Sequence, residues 1–349
     1  MLRLAIASYS APSRLALDAH DSPRKTPFIT FRGIICLKSP EGEALHLSGL
    51  CLPCNEERLY RGQKRKSAVV IDMKNTPVIT LLTDFGLQDE YVGVMKGVIL
   101  SINPMVHLID ICHNITRHRV GQAALAINAA FRYFPKGSIH VVVVDPGVGG
   151  KRKAICLQQE DHFFVAPDNG VLTMVIQNGA AKRICAITNQ DYFLKPVSDT
   201  FHGRDIFGPV AAHLSKGVDM LRIGPAVALE DITRLEVLVP FVSAKSELVG
   251  MVISIDHFGN LVTNISQATF RGFKNNTRSK ETVIIVGRSK IQEVSRSYDS
   301  VEIGSPVAIF GSRDLLEVSL NQGDARTYFK ASVGQTIKVK PVIRKESVK

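Results

Sequence analysis

The feature that most constrains this chain is an alternation that begins at Pro77. Val78–Thr83 is an apolar run of strand length, closed by Asp84-Phe85-Gly86. Tyr91, Val94, Met95, Val98, Ile99 and Ile102 then recur at helical spacing, and Pro104 ends that helix. Val106–Ile111 reads as a second strand and Val120–Phe134 as a second helix, with Pro135-Lys136-Gly137 as its exit. Ile139–Val144 is a third strand, β-branched and apolar on both faces, as in a covered parallel sheet. Strand, helix, strand, helix, strand predicts an α/β domain, a largely parallel sheet flanked by helices, over residues 76–235.

A hairpin of Ala154–Gln158 and His162–Ala166 follows, then short helices at Leu172–Gln177 and Ile206–Lys216. Beyond about residue 240 the texture changes. Leu248–Ile255, Asn260–Ile265, Thr282–Val286, Pro306–Phe310, Leu315–Leu320 and Thr336–Val342 are short β runs separated by Gly, Asn and Ser. They predict a smaller all-β C-terminal domain over residues 246–345.

Residues 1–75 read differently. Pro12, Pro23, Pro27, Pro40 and Pro53 interrupt any periodicity, so this stretch is expected to be a poorly structured extension. Met73 reads as the natural start, since it leads directly into the first strong strand. The formal net charge is +11, and Arg61–Lys66 holds four basic groups, which read as a solvated linker face. No basic stripe is interleaved with aromatics, so nucleic acid is not an expected partner. No apolar run approaches the roughly 20 residues of a membrane-spanning helix, and no membrane contact is expected.

Of six cysteines, Cys112, Cys156 and Cys185 lie in apolar strand-like segments and read as buried thiols. Cys51 and Cys54 form a lone CxxC without a second ligand pair, and His113 and His118 stand outside any ligand spacing. Neither a metal nor a disulfide framework is expected, and a cytoplasmic location fits best.

Four polar clusters stand at strand ends or in tight loops. Asp84 follows the first strand, where a carboxylate can accept from a vicinal diol such as ribose; an acid there can equally cap the next helix. Asp145-Pro146-Gly147-Val148-Gly149-Gly150-Lys151-Arg152 follows the third strand. Its glycines permit a tight turn that could fold Arg152 back beside Asp145; otherwise it is a surface turn with an ion pair of little worth. Thr200-Phe201-His202-Gly203-Arg204-Asp205 sets His202 at a helix start. Asp256-His257-Phe258-Gly259-Asn260 could be a plain turn, or could present Asp256 and Asn260 to a ligand with Phe258 as a stacking face.

In this order the segments TDFGLQDEYVG, DPGVGGKRKAI, PDNG, TFHGRDIFGP, IDHFGN and GSRDLLEVSLNQG resemble one family. It is the adenosine-forming S-adenosyl-L-methionine (SAM) hydrolases, also called SAM hydroxide adenosyltransferases, relatives of fluorinase and chlorinase. The resemblance covers roughly Pro77–Pro341. It implies an N-terminal α/β domain, a C-terminal β domain, and a homotrimer whose site lies between subunits. It implies a catalytic set at Asp145, Arg152 and His202, and a ribose-binding Asp84. Asn260, Ser312, Glu317 and Ser319 fall on the family's adenosine-binding positions, while Asp256 and Arg313 fall near the methionine end. SAM is the implied substrate and no cofactor is implied.

The implied reaction is attack of water on ribose C5′, releasing methionine. The sulfonium leaves as a neutral thioether, so the demand falls on the nucleophile, which has to be held in line and polarised. Asp145 and His202 can orient water or take its proton, and Arg152 supplies a fixed positive charge. A halide site would want small hydroxyl donors and no base. The fluorinase-like tyrosine position is Asp145 here and its serine position is Gly203, and both departures favour water. A SAM-dependent halogenase and a non-catalytic SAM or adenosine sensor are the alternatives.

Overall fold

A computed structural model describes residues 76–342 apart from 178–180, 278 and 280, together with two paired dipeptide strands, Leu37–Lys38 and Ala44–Leu45. The chain divides into two units, Met1–Val69 and Val70–Lys349, and every candidate site residue lies in the second. The expected extension over 1–75, the expected natural start at Met73, the basic run Arg61–Lys66 and Cys36, Cys51 and Cys54 otherwise lie outside the described residues.

The N-terminal sheet has six strands: β1 (Val78–Thr83), β2 (His107–Cys112), β3 (Ile139–Val143), β4 (Ala154–Gln159), β5 (His162–Pro167) and β6 (Ala181–Ala186). Their order is β2-β1-β3-β5-β4-β6, and only β4 runs antiparallel to its neighbours. Helices α1 (Tyr91–Ile102), α2 (Val120–Ala130), α3 (Thr173–Gln177) and α4 (Gly208–Ser215) cover the two faces. Met95 and Ile99 of α1 and Val210 and Leu214 of α4 pack with Ile79, Leu81 and Val141 on one face. Ile127 of α2 and Val175 of α3 pack with Leu82 and Val142 on the other. Successive strand residues point to opposite faces, so both faces of β3 have to be apolar, and all five of its residues are buried. Edge strand β2 shows the contrary: it is largely exposed, and Cys112 is half-buried rather than buried. Cys156 and Cys185 are buried free thiols.

The C-terminal sheet has eight strands: β7 (Phe241–Val242), β8 (Leu248–Ile255), β9 (Leu261–Ser266), β10 (Thr282–Val286), β11 (Ser289–Gln292), β12 (Pro306–Phe310), β13 (Leu315–Leu320) and β14 (Thr336–Pro341). The order is β11-β10-β14-β8-β9-β13-β12, with β7 added beside β8, and the pairings are antiparallel. The chain is thus a two-domain protein, with a separate core in each part. Strands dominate the second part, but they are not its whole content. An 11-residue helix, α5 (Gln267–Thr277), follows β9, and α6 (Ala325–Phe329) follows β13. The polar text of α5 hides it: only Phe270 and Phe273 are buried. No helix among the described residues is long and apolar enough to cross a membrane.

Candidate active site

Two neighbouring strands set up the site. β1 and β3 pair in parallel with Thr83 opposite Val143, so Asp84 and Asp145 follow adjacent carboxyl ends. The strand order reverses here, since β2 lies on one side of β1 and β3 on the other. Open α/β sheets bind ligands at such a switch point. A cavity of about 240 Å³ opens there, with Asp84, Asp145, Phe201 and His202 in its lining.

Arg152 folds back onto Asp145. Its Nε donates to Oδ1 at 3.1 Å and Oδ2 at 2.9 Å, and its Nη2 donates to Oδ2 at 2.5 Å. The Asp145 side chain is 4% exposed and that of Arg152 11%, so water screens the pair little. The same Nη2 donates to His202 Nδ1 at 2.7 Å. A ring nitrogen that accepts carries no proton, so the imidazole hydrogen sits on Nε2. Burial first, and then the Arg152 charge, hold His202 below the ordinary imidazole value. The guanidinium also stands 5.5 Å from the centre of the Phe207 ring.

The backbone fixes this chain of contacts. Gly149 has a φ of +74°, and a Cβ there would drive into the Asp199 carbonyl oxygen. The Asp145–Arg152 turn therefore lies directly against the segment leading to His202. His202 precedes a π-helical turn, Gly203–Phe207, that runs on into α4. Within it Asp205 is buried and accepts from Arg204 Nε at 2.6 Å and from the Ser198 N–H at 2.8 Å. Gly203 is buried too, and a Cβ there would stand 3.0 Å from Met95 Sδ.

Asp84 does not cap α1, whose first residues make no side-chain cap. Its Oδ2 accepts from the His118 backbone N–H at 2.9 Å. His118 adopts a left-handed φ of 64°, and it lines the cavity with its neighbour Arg117. The sequence reading weighed His118 only for a metal and passed over Arg117, because nothing in Thr-Arg-His-Arg announces that the loop returns to β1. His113, the other candidate, is buried between Thr83 Oγ1 at 2.8 Å and Asp110 Oδ1 at 3.0 Å. Among the described residues no group of three His, Cys, Asp or Glu side chains is placed to hold a metal ion.

The remaining candidates lie in the C-terminal domain, apart from the described lining of that cavity. Asp256 Oδ1 accepts from the Phe258 and Asn260 N–H groups at 2.9 and 2.8 Å, and its Oδ2 accepts from Asn260 Nδ2 at 2.8 Å. This turn buries Asn260 and leaves Phe258 73% exposed. Glu317 on β13 is 7% exposed, and the Tyr298 hydroxyl donates to it at 3.4 Å. Burial first, and the nearby Asp256 charge second, push the Glu317 carboxyl up, against the opposing pull of Arg313. Ser319 is buried two residues on, with no hydrogen-bond partner for its Oγ. Ser312 and Arg313 are exposed on the turn before β13. Tyr298 is a residue the sequence reading missed, since a tyrosine among Ser and Arg in a connecting loop carries no local signal.

Residues 79–224 match the family model described as the SAM hydroxide adenosyltransferase N-terminal domain, and residues 250–338 match its C-terminal domain. The (R)-S-adenosyl-L-methionine hydrolase of Thermus thermophilus is 33% identical, over 75% of this chain and 98% of its own. The fluorinase of Nocardia brasiliensis is 27% identical, over 76% of this chain and 97% of its own. A crystal structure of an uncharacterized conserved protein from Thermotoga maritima matches with a TM-score of 0.69 at 38% identity, over 75% of this chain and 99% of that one.

Proposed function

The chain belongs to the SAM hydroxide adenosyltransferase family, and from that premise we propose that it hydrolyses S-adenosyl-L-methionine to adenosine and L-methionine. The observation that carries this reading is the unbroken contact from Asp145 through Arg152 to His202 beside a strand-end cavity. A water oxygen forms the new bond to ribose C5′, the C5′–S bond breaks, and sulfur leaves with the electron pair as a neutral thioether. The water proton goes to Asp145. His202 Nδ1 is engaged by Arg152 and its proton sits on Nε2, so the imidazole orients the water and Asp145 is the base. Arg152 fixes the carboxylate in direction.

Asp84 has Oδ2 held by His118, and Oδ1 is the oxygen that takes a ribose hydroxyl. Asn260, Glu317 and Ser319 take the adenine end, with Phe258 stacking and Ser312 alongside. Asp256 and Arg313 serve the methionine end. The complete site forms between one subunit's residues 76–235 and another's 246–345, in a homotrimer, and in keeping with this none of these C-terminal residues is in the described lining of the cavity. SAM is the substrate and no cofactor takes part. The free thiols of Cys156 and Cys185 are in keeping with the cytoplasm.

The halogenase reading is disfavoured by Asp145, a charged base where halide would sit, and by Gly203, where Met95 crowds any added hydroxyl. The sensor reading is disfavoured by the same charged set, since binding alone needs no water-activating group. Chromatography of SAM incubated with the protein, with and without chloride, decides among them. Adenosine and methionine are expected in both. A 5′-halo-adenosine would identify a halogenase, and intact SAM bound tightly would identify a sensor.

A further inference from the structure

A second cavity, of about 520 Å³, lies in the C-terminal domain between α5 and the β10 and β12 strand ends. Gln267, Phe270, Arg271 and Lys274 line it at spacings of three and four, so they share one helix face. A helix seated on a sheet ordinarily turns an apolar stripe inward. The inward face of α5 is the one with Phe270 and Phe273, and the cavity lies along its flank, where Gln267, Arg271 and Lys274 stand beside Phe270. Arg296, from the segment after β11, adds a third cation, and Glu293 is the acid in the described lining. No ion pair joins it to any of the three among the described residues. Glu293 holds a left-handed φ of 61° while its N–H donates to Thr282 O at 2.9 Å, which bends the segment carrying Arg296 around the cavity mouth. Left-handed backbone costs a residue with a Cβ roughly 1–2 kcal/mol, so the bend is maintained against strain. The floor is apolar: Phe270 meets Phe310 edge-on, 5.3 Å between ring centres.

We propose that this cavity is a second ligand site, for a small molecule that carries a phosphate on a flat apolar body. The cations bind the phosphate, Arg271 and Arg296 through their planar forks, and the half-buried Phe310 receives the ring. The volume falls within the usual range for small-molecule sites, and the three cations line one open hollow, with Arg271 and Arg296 exposed to solvent. The site shares no residue with Asp145, Arg152 or His202 and is independent of the reaction they perform.

Phenyl phosphate is the probe, titrated calorimetrically into the full chain beside inorganic phosphate and phenol. One phenyl phosphate per chain is expected, bound at least about tenfold tighter than either fragment. Arg271→Gln with Lys274→Gln is expected to weaken it at least about tenfold, as is Arg296→Glu, which changes an exposed residue and tests the site even if the double variant melts early. Asp145→Ala is expected to bind like the parent. The proposal is overturned by undiminished binding in Arg296→Glu, by loss in Asp145→Ala, by equal affinity for phenyl and inorganic phosphate, by absence of binding, or by a single-stranded oligonucleotide that binds more tightly at the same residues.

Discussion

Asp145 and Glu317 are both shielded carboxylates, and their surroundings differ in kind. Asp145 is gripped through both oxygens by Arg152, which also holds His202. Glu317 has only a long contact from Tyr298, a second acid nearby, and beside it a buried Ser319 Oγ without a partner. The first cluster is held in place by its own contacts, with His202 Nε2 left to meet water. That is the arrangement suited to a developing transition state, because nothing has to reorganise during reaction. The second cluster leaves polar groups under-satisfied, an arrangement that rewards a ligand able to complete them. The difference separates rate from affinity along the chain.

Substitutions can break that separation. The largest expected effect is Asp145→Ala, with turnover falling about 10²–10⁴-fold while adenosine affinity stays within a few-fold of the parent; product chromatography with calorimetry reads both. Turnover near the parent level would remove Asp145 from the reaction. Glu317→Gln comes next, with adenosine bound about tenfold more weakly and kcat unchanged, measured by steady-state kinetics. A fall in kcat at unchanged KM would move Glu317 to the chemical half. Phe258→Ala removes an exposed ring, and a loss of about 1 kcal/mol, or fivefold in affinity, is expected by the same titration. An unchanged affinity would leave the ring without a ligand.

The smallest expected effect is in pH. Because burial and Arg152 depress His202, the ring stays neutral as pH falls through 6.5 and protonates only lower. The acid limb of kcat is then expected below that value, and a limb at or above it would contradict the assigned role. Glu317 is shifted the other way, so it protonates at higher pH than a free glutamate. The acid limb of affinity is therefore expected above the ordinary value of 4.5. Its absence in Glu317→Gln would assign it.

Much of this was legible in the residues themselves. The apolar run of β3, broken only by His140, requires cover on both faces, and its valines divide between the two cores as that demands. Asp145 and Arg152 could be paired on paper because the intervening glycines permit a tight turn, but the residues alone left a plain surface turn equally open. Periodicity is weak for α5, which buries only Phe270 and Phe273 in an otherwise polar text. The strand at β2 was legible, but Cys112, expected to be buried, is half-buried because β2 lies at the sheet edge. Arg117 and His118 reach the cavity through a left-handed residue that is not glycine, a conformation that local sequence does not announce.

Gly149 has a last consequence for how such a protein can change. Because its missing side chain is what lets two stretches of backbone touch, Gly149 is a point of the turn that cannot vary, although its neighbour Val148 lines the cavity. Variation in what attacks the sugar can enter at Asp145, at Val148 or at the residue that opens the π-helical turn. A random library spread evenly over this loop would lose folded protein at Gly149 and find altered selectivity on either side of it.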